Sequence, residues 1–191
     1  MKRKIWLPTI LGVVLVLGGL GLGLFFGVKT YLGPEKSQRV AAQLEAMLPE
    51  RTRGVPTETE DPMPVLEIDG VDYVALLEVP GYGVKLPVSD EWNTKNLYTA
   101  PSRFSGSAYD SNLIIGGNDL KQFSFCAQIE NGEKILVTDL TGAQFSYTVV
   151  AIDRAKHAEA QWLAEEGNDL TLFCADTYSM GYIAVRCVQS Y

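Results

Sequence analysis

Asp169-Leu170-Thr171-Leu172-Phe173-Cys174-Ala175-Asp176 is an apolar, β-branched run that closes on a cysteine. A second run of the same texture, Tyr182-Ile183-Ala184-Val185-Arg186-Cys187-Val188, follows after a short polar turn. Both have strand length and strand composition. A thiol at a strand end invites a nucleophile reading, which requires a base and an oxyanion stabiliser elsewhere in the chain.

Working back from this pair, short strands continue. Val71 to Val79 ends at the turn signal Pro80-Gly81, and Val84 to Val88 reads as an edge because Pro87 lacks a donor. Asn112 to Gly116 is an apolar run closed by Gly116-Gly117. Lys134 to Thr138, the turn Leu140-Thr141-Gly142, and Gln144 to Ile152 form a hairpin. Ala155 to Glu166 has helical character, anchored by Trp162 and Leu163. Many short strands with little helix point to a mainly β, closed barrel over residues 65–191, long enough for one core.

The N-terminal part has a different texture. Trp6 to Val28 contains no charge, close to the ~20 residues that cross a hydrocarbon core. Lys2, Arg3 and Lys4 precede it and favour a cytoplasmic N-terminus. A cleavable signal peptide is the competing reading; its apolar region runs about 7 to 15 residues and ends in a small-residue site, and none stands around Gly27 to Leu32. The expectation is a membrane anchor over 1–29, with tip 1–5 and transmembrane helix 6–28. The protein is then single-pass in the cell membrane with its domain extracellular. Gly19, Gly23 and Gly27 share a helix face and suit a weak homodimer. Residues 30–64 read as a helical stalk, opened by Pro34-Glu35 and striped by Val40, Leu44 and Met47, followed by a Pro-rich linker.

Residues 1–29 hold four of the 16 basic residues and none of the 23 acidic ones, so the rest carries a net charge near −11. An acidic body excludes nucleic acid as a partner. Three cysteines without C-x-x-C spacing form neither a disulfide framework nor a zinc site. His157 is the only histidine and reads as a solvated loop residue. No cofactor or metal is expected.

The order of segments resembles the sortases, cysteine transpeptidases of Gram-positive cell surfaces, with features of class B and clostridial members. The resemblance covers Val71 to the C-terminus. Ala100 to Ser107 is similar to the segment leading into the family's histidine strand. Asn112-Leu113-Ile114-Ile115-Gly116-Gly117-Asn118 resembles N-x-x-I-x-G-H-N, and Gly132 to Gly142 resembles G-D-x-V and T-D-x-x-G. Asp169 to Ala175 is similar to D-L-T-L-F-T-C, and Val185-Arg186-Cys187 to V-R-C.

The resemblance implies a barrel whose cysteine attacks a peptide carbonyl, whose histidine serves as acid and base, and whose arginine stabilises the oxyanion. Laid on this chain, the three positions fall on Gly117, Ala175 and Tyr182. None carries the required group: glycine has no side chain, alanine no thiol, and a phenol lacks the guanidinium fork. Cys174 stands one residue before the nucleophile position, and strand alternation turns it to the opposite face unless a bulge re-aims it.

Three readings follow. The first is a non-catalytic pseudosortase that binds or scaffolds, with an extended peptide or surface protein in its groove. The second is a non-standard transpeptidase or peptidase on cell-wall sorting signals, using Cys174 with Asp119 or Asp176 as base. The third is a structural anchor.

Overall fold

The computed structural model describes residues 12, 14–19, 35–55, 63–118, 122–164 and 167–190. The chain divides into two units, Met1–Glu35 and Lys36–Tyr191. In the first, residues 12 and 14–19 are helical, and Gly19 is exposed. The rest of the 6–28 segment, with Gly23 and Gly27, lies outside the described residues. Among the described residues no helix is long and apolar enough to cross a membrane.

The second unit is a β-barrel. Its strands are β1 (Thr52–Arg53), β2 (Leu66–Ile68), β3 (Val71–Val79), β4 (Val84–Ser89), β5 (Ser102–Ser105), β6 (Leu113–Gly117), β7 (Lys134–Asp139), β8 (Ala143–Ala155), β9 (Leu170–Asp176) and β10 (Gly181–Gln189). Pairing runs β3–β4–β5–β6–β9–β10–β8, and β7 bridges β8 back to β3, which closes a ring of eight strands. Closure leaves little unpaired edge outside the β4–β5 seam. β2 and β1 are short additions beside β3 and β8. β4 meets β5 only at Ser89 and Ser102, so the Pro87 stretch is an edge for most of its length.

The interior follows from the period-2 pattern of each strand. Leu170, Leu172 and Cys174 face inward with Ile183, Val185 and Cys187, joined by Phe145, Tyr147 and Val149 of β8. Phe123, just before a 3-10 turn at Ser124–Ala127, and Phe125 within that turn plug the interior.

Two segments before the barrel are more tightly held than a stalk and linker require. The helix over residues 35–47, here α1, buries Ser37, Val40, Ala41 and Leu44, spaced for one face. Val40 and Leu44 pack on Tyr73 and Ala100. Met47 does not join them and is 61% exposed. β1 then adds in parallel to β8, and Met63 is buried in the barrel core.

The expected helix from Ala155 to Glu166 is reduced to α2, Ala160–Leu163. Ala155 is instead the last residue of β8, opposite Tyr182. Leu163 is buried as expected.

Candidate functional site

The outer face of β6, β9 and β10 carries the candidate site. β9 and β10 pair with Ala175 opposite Tyr182, Phe173 opposite Ala184 and Thr171 opposite Arg186, so these six share one face. Ala175 is exposed and Tyr182 half-buried. Below them Phe173 joins Ile114, Leu163 and Ala184 in a small outer cluster. Alternation sends Cys174 the other way: it is 2% exposed and belongs to the barrel core.

A bulge at Phe173–Cys174 would re-aim that thiol. Neither ladder has one: β9 keeps continuous register with β10 from Asp176 to Leu170 and with β6 from Leu170 to Cys174. The β10 register does shift at Arg186/Cys187, but against β8. All three cysteines are buried and free. Burial pushes the Cys126 and Cys187 thiols well above their usual range, which disfavours thiolate.

Gly117 does not share the outer face. It pairs with Cys174, and a methyl group on it would sit 2.6 Å from Phe123 Cγ, inside the core. Gly116, opposite Phe173, faces outward, and its missing side chain leaves room for the Trp92 and Phe173 rings. The position that alternation turns toward Ala175 is therefore Asn118, not Gly117. The motif agrees. N-x-x-I-x-G-H-N laid without a gap on Asn112 and Ile115 puts its glycine on Gly117 and its histidine on Asn118. On the resemblance, the histidine position then falls on Asn118 rather than on Gly117. The chemistry is unaltered, since a carboxamide does not titrate in the working range. The carbonyl of Asn118 accepts from the Gln122 and Phe123 amides, which starts the turn into the core plug.

The remaining candidates are occupied elsewhere or lie apart. Asp119 is outside the described residues, and His157 is exposed beyond the end of β8. Asp176 holds the β9–β10 turn: it accepts from the Ser179 hydroxyl at 2.6 Å and from the Tyr178 and Ser179 amides. Those bonds, Ser179 foremost, hold its carboxyl below the usual range. Arg186 is 1% exposed and serves as a strut. It donates to Asp153, Thr171 and the carbonyls of Trp162 and Leu163, and its guanidinium lies over the Trp162 ring. Its donors thus fasten α2 to the sheet. Arg103 pairs with Asp90 and fastens the β4–β5 connection rather than standing in solvent.

One feature of the face carries no motif in the sequence. Trp92, from the β4–β5 connection, lies 5.3 Å from Phe173 and 5.4 Å from Phe104, which in turn meets Phe173 edge-on at 5.5 Å. These rings cover the stretch of β6 and β9 that leads up to Ala175. The only cue is the pair of small residues Gly116-Gly117, which lets an aromatic ring lie directly on the strand.

The class of structure is an eight-stranded barrel with an aromatic outer face beside the ends of its parallel β6 and β9. More narrowly, this chain has a sortase-like fold. Sortase C-1 from Actinomyces oris superposes with a TM-score of 0.54 at 21% identity, over 61% of this chain and 73% of that one. Sortase A from Corynebacterium diphtheriae gives 0.54 at 16% identity, over 91% and 96%. Sortase C from Clostridium perfringens with the C-terminal cell wall sorting motif gives 0.53 at 18% identity, over 61% and 69%. No family profile matches the sequence, and no curated protein aligns with it significantly.

Proposed function

We propose that this chain is a membrane-anchored, extracytoplasmic, sortase-like protein that does not catalyse transpeptidation and acts by binding at the cell surface. The observation that carries the reading is the pair Ala175 and Tyr182, side by side on the outer face, with Cys174 turned into the core behind them. Acyl transfer in this geometry needs a thiolate, a titrating neighbour and a charged oxyanion donor on one face. The face offers a methyl group, a phenol and, at Asn118, a carboxamide.

A groove without that chemistry still has a use. Exposed Ala175 and the Trp92–Phe104–Phe173 surface form a shallow apolar floor beside a strand pair, suited to an extended peptide or a surface protein. Anchoring rests on the uncharged stretch from Trp6 to Val28 and the basic residues before it.

The test is incubation of the full chain with peptides of the cell-wall sorting-signal type, followed by mass spectrometry of protein and peptide. The expected outcome is peptide binding that Ala175→Arg weakens, with neither cleavage nor an acyl-protein adduct. Cleavage that disappears in Cys174→Ser would overturn the reading.

A further inference from the structure

Two of the three cysteines meet inside the barrel. Cys174 points inward from β9 and pairs across the ladder with Gly117 of β6. The Phe123 ring fills the space that a side chain on Gly117 would take. The Cys126 amide donates to the Phe123 carbonyl at 3.0 Å in the 3-10 turn. Residues three apart eclipse in such a turn, so Cys126 lies on the same side as Phe123, toward the inner face of β6 and β9. Its thiol shares a hydrogen bond with that of Cys174, and both are buried in one apolar cluster.

Cys187 stands apart from the pair. It lies opposite Leu170, four residues from Cys174 on β9, about 13 Å along the strand. Its thiol turns instead to the Val185 carbonyl at 3.8 Å. Packing does not call for the meeting of the other two, because a buried cysteine fills space as a small hydrophobe and a thiol is only a weak donor.

We propose that Cys126 and Cys174 are a redox pair that closes to an intramolecular disulfide when the chain meets a low-molecular-weight disulfide oxidant, fastening the 3-10 turn to β9 behind Ala175. One cysteine thiolate attacks a sulfur of the oxidant and expels a thiol. The second cysteine attacks the mixed disulfide and expels the other. The oxidant's S–S bond breaks, the protein's forms, and two electrons and both thiol protons leave with the two released thiols. Burial first, and the Cys174 contact next, hold the Cys126 thiol well above its usual range. Thiolate is therefore scarce in the closed barrel, and exchange proceeds while the chain folds or opens. The two cysteines are 48 positions apart, and a bond closing a loop of that length restricts the unfolded chain enough to raise Tm by roughly 10 °C.

The experiment is refolding of the full chain from urea, in neutral detergent, with reduced and oxidised glutathione. Remaining thiols are blocked with iodoacetamide, peptides are mapped by mass spectrometry without reductant, and thermal unfolding is followed with and without reductant. The expected result is one internal disulfide, Cys126 to Cys174, with Cys187 alkylated, and a Tm higher by roughly 10 °C that falls back when reductant is added. Cys126→Ala and Cys174→Ala should each remove both the bond and the reductant-sensitive rise, whereas Cys187→Ala should keep both. The unsubstituted chain decides the matter even where a variant folds poorly. No internal disulfide, a disulfide that uses Cys187, or a Cys126–Cys174 bond without a rise in Tm would each overturn the proposal.

Discussion

Replacing Gly117 by alanine tests which way the end of β6 faces. Gly117 is not among the glycines with positive φ, so its backbone suits alanine. In open space that change would stabilise by roughly 0.5–1 kcal/mol, because the unfolded chain loses freedom. Here the new methyl group meets three Phe123 ring atoms at 2.6 to 2.8 Å, against about 3.5–4.0 Å for carbon atoms in ordinary contact. The ring must retreat by about 1 Å within a close-packed core, and overpacking of this kind costs about 1–3 kcal/mol. The expected net loss is about 1–2 kcal/mol. For a unit of this size that is a fall in Tm of roughly 3–6 °C, read by thermal and urea unfolding of the purified chain. Gly116→Ala reports on the opposite face: its methyl group would meet the Trp92 ring and, at 2.7 Å, Cζ of buried Phe173, so it too should cost about 1–3 kcal/mol, but with a change in Trp92 fluorescence that Gly117→Ala does not produce. An unchanged or raised Tm for Gly117→Ala would put Gly117 on the outer face and refute the facing derived for Gly117, Asn118 and Cys174 together.

Three further outcomes are expected. Arg186→Met removes the guanidinium donors to the Trp162 and Leu163 carbonyls, and should cost about 3 kcal/mol with faster amide exchange across α2, measured by urea unfolding and hydrogen exchange. Met180 is 90% exposed with φ of 52°; Met180→Gly relieves a left-handed backbone without losing packing and should raise stability by about 1 kcal/mol in the same unfolding assay. Asp176 titrates below its usual range in the folded chain because of Ser179 and the turn amides. Its contribution is therefore fully present above the unfolded carboxylate pKa and is lost as pH falls through the lower folded value. Exchange of the Tyr178 and Ser179 amides should accelerate over that window, and Asp176→Asn should remove the acid-dependent step.

Much of the barrel was legible because its strands obey a simple period. Val71 to Val79 coincides with β3, and Leu170 to Cys174 and Tyr182 to Val188 lie within β9 and β10. Strand alternation alone also turns Cys174 away from the face of Ala175. What failed was set by tertiary contact. Ala155 to Glu166 has helical composition, but β10 draws Ala155 into the β8 ladder, and composition does not register a partner strand. Thr52-Arg53 has the polar texture of a linker and pairs only because β8 offers it an edge. The position of Trp92 depends on a glycine two strands away. The histidine position shows how a one-residue slip in a motif inverts the face: counted without a gap from Asn112 it falls on Asn118, and the ring of Phe123 against Gly117 agrees with that facing.

The central claim is that the outer face of β9 and β10 has no nucleophile, and counting reactive thiols addresses it most directly. The full chain is treated with iodoacetamide under native and denaturing conditions and mapped by mass spectrometry. All three cysteines are buried in the native state, so the account predicts negligible native modification and three modified residues once the chain is unfolded. Rapid native modification of a single residue that maps to Cys174 would contradict it.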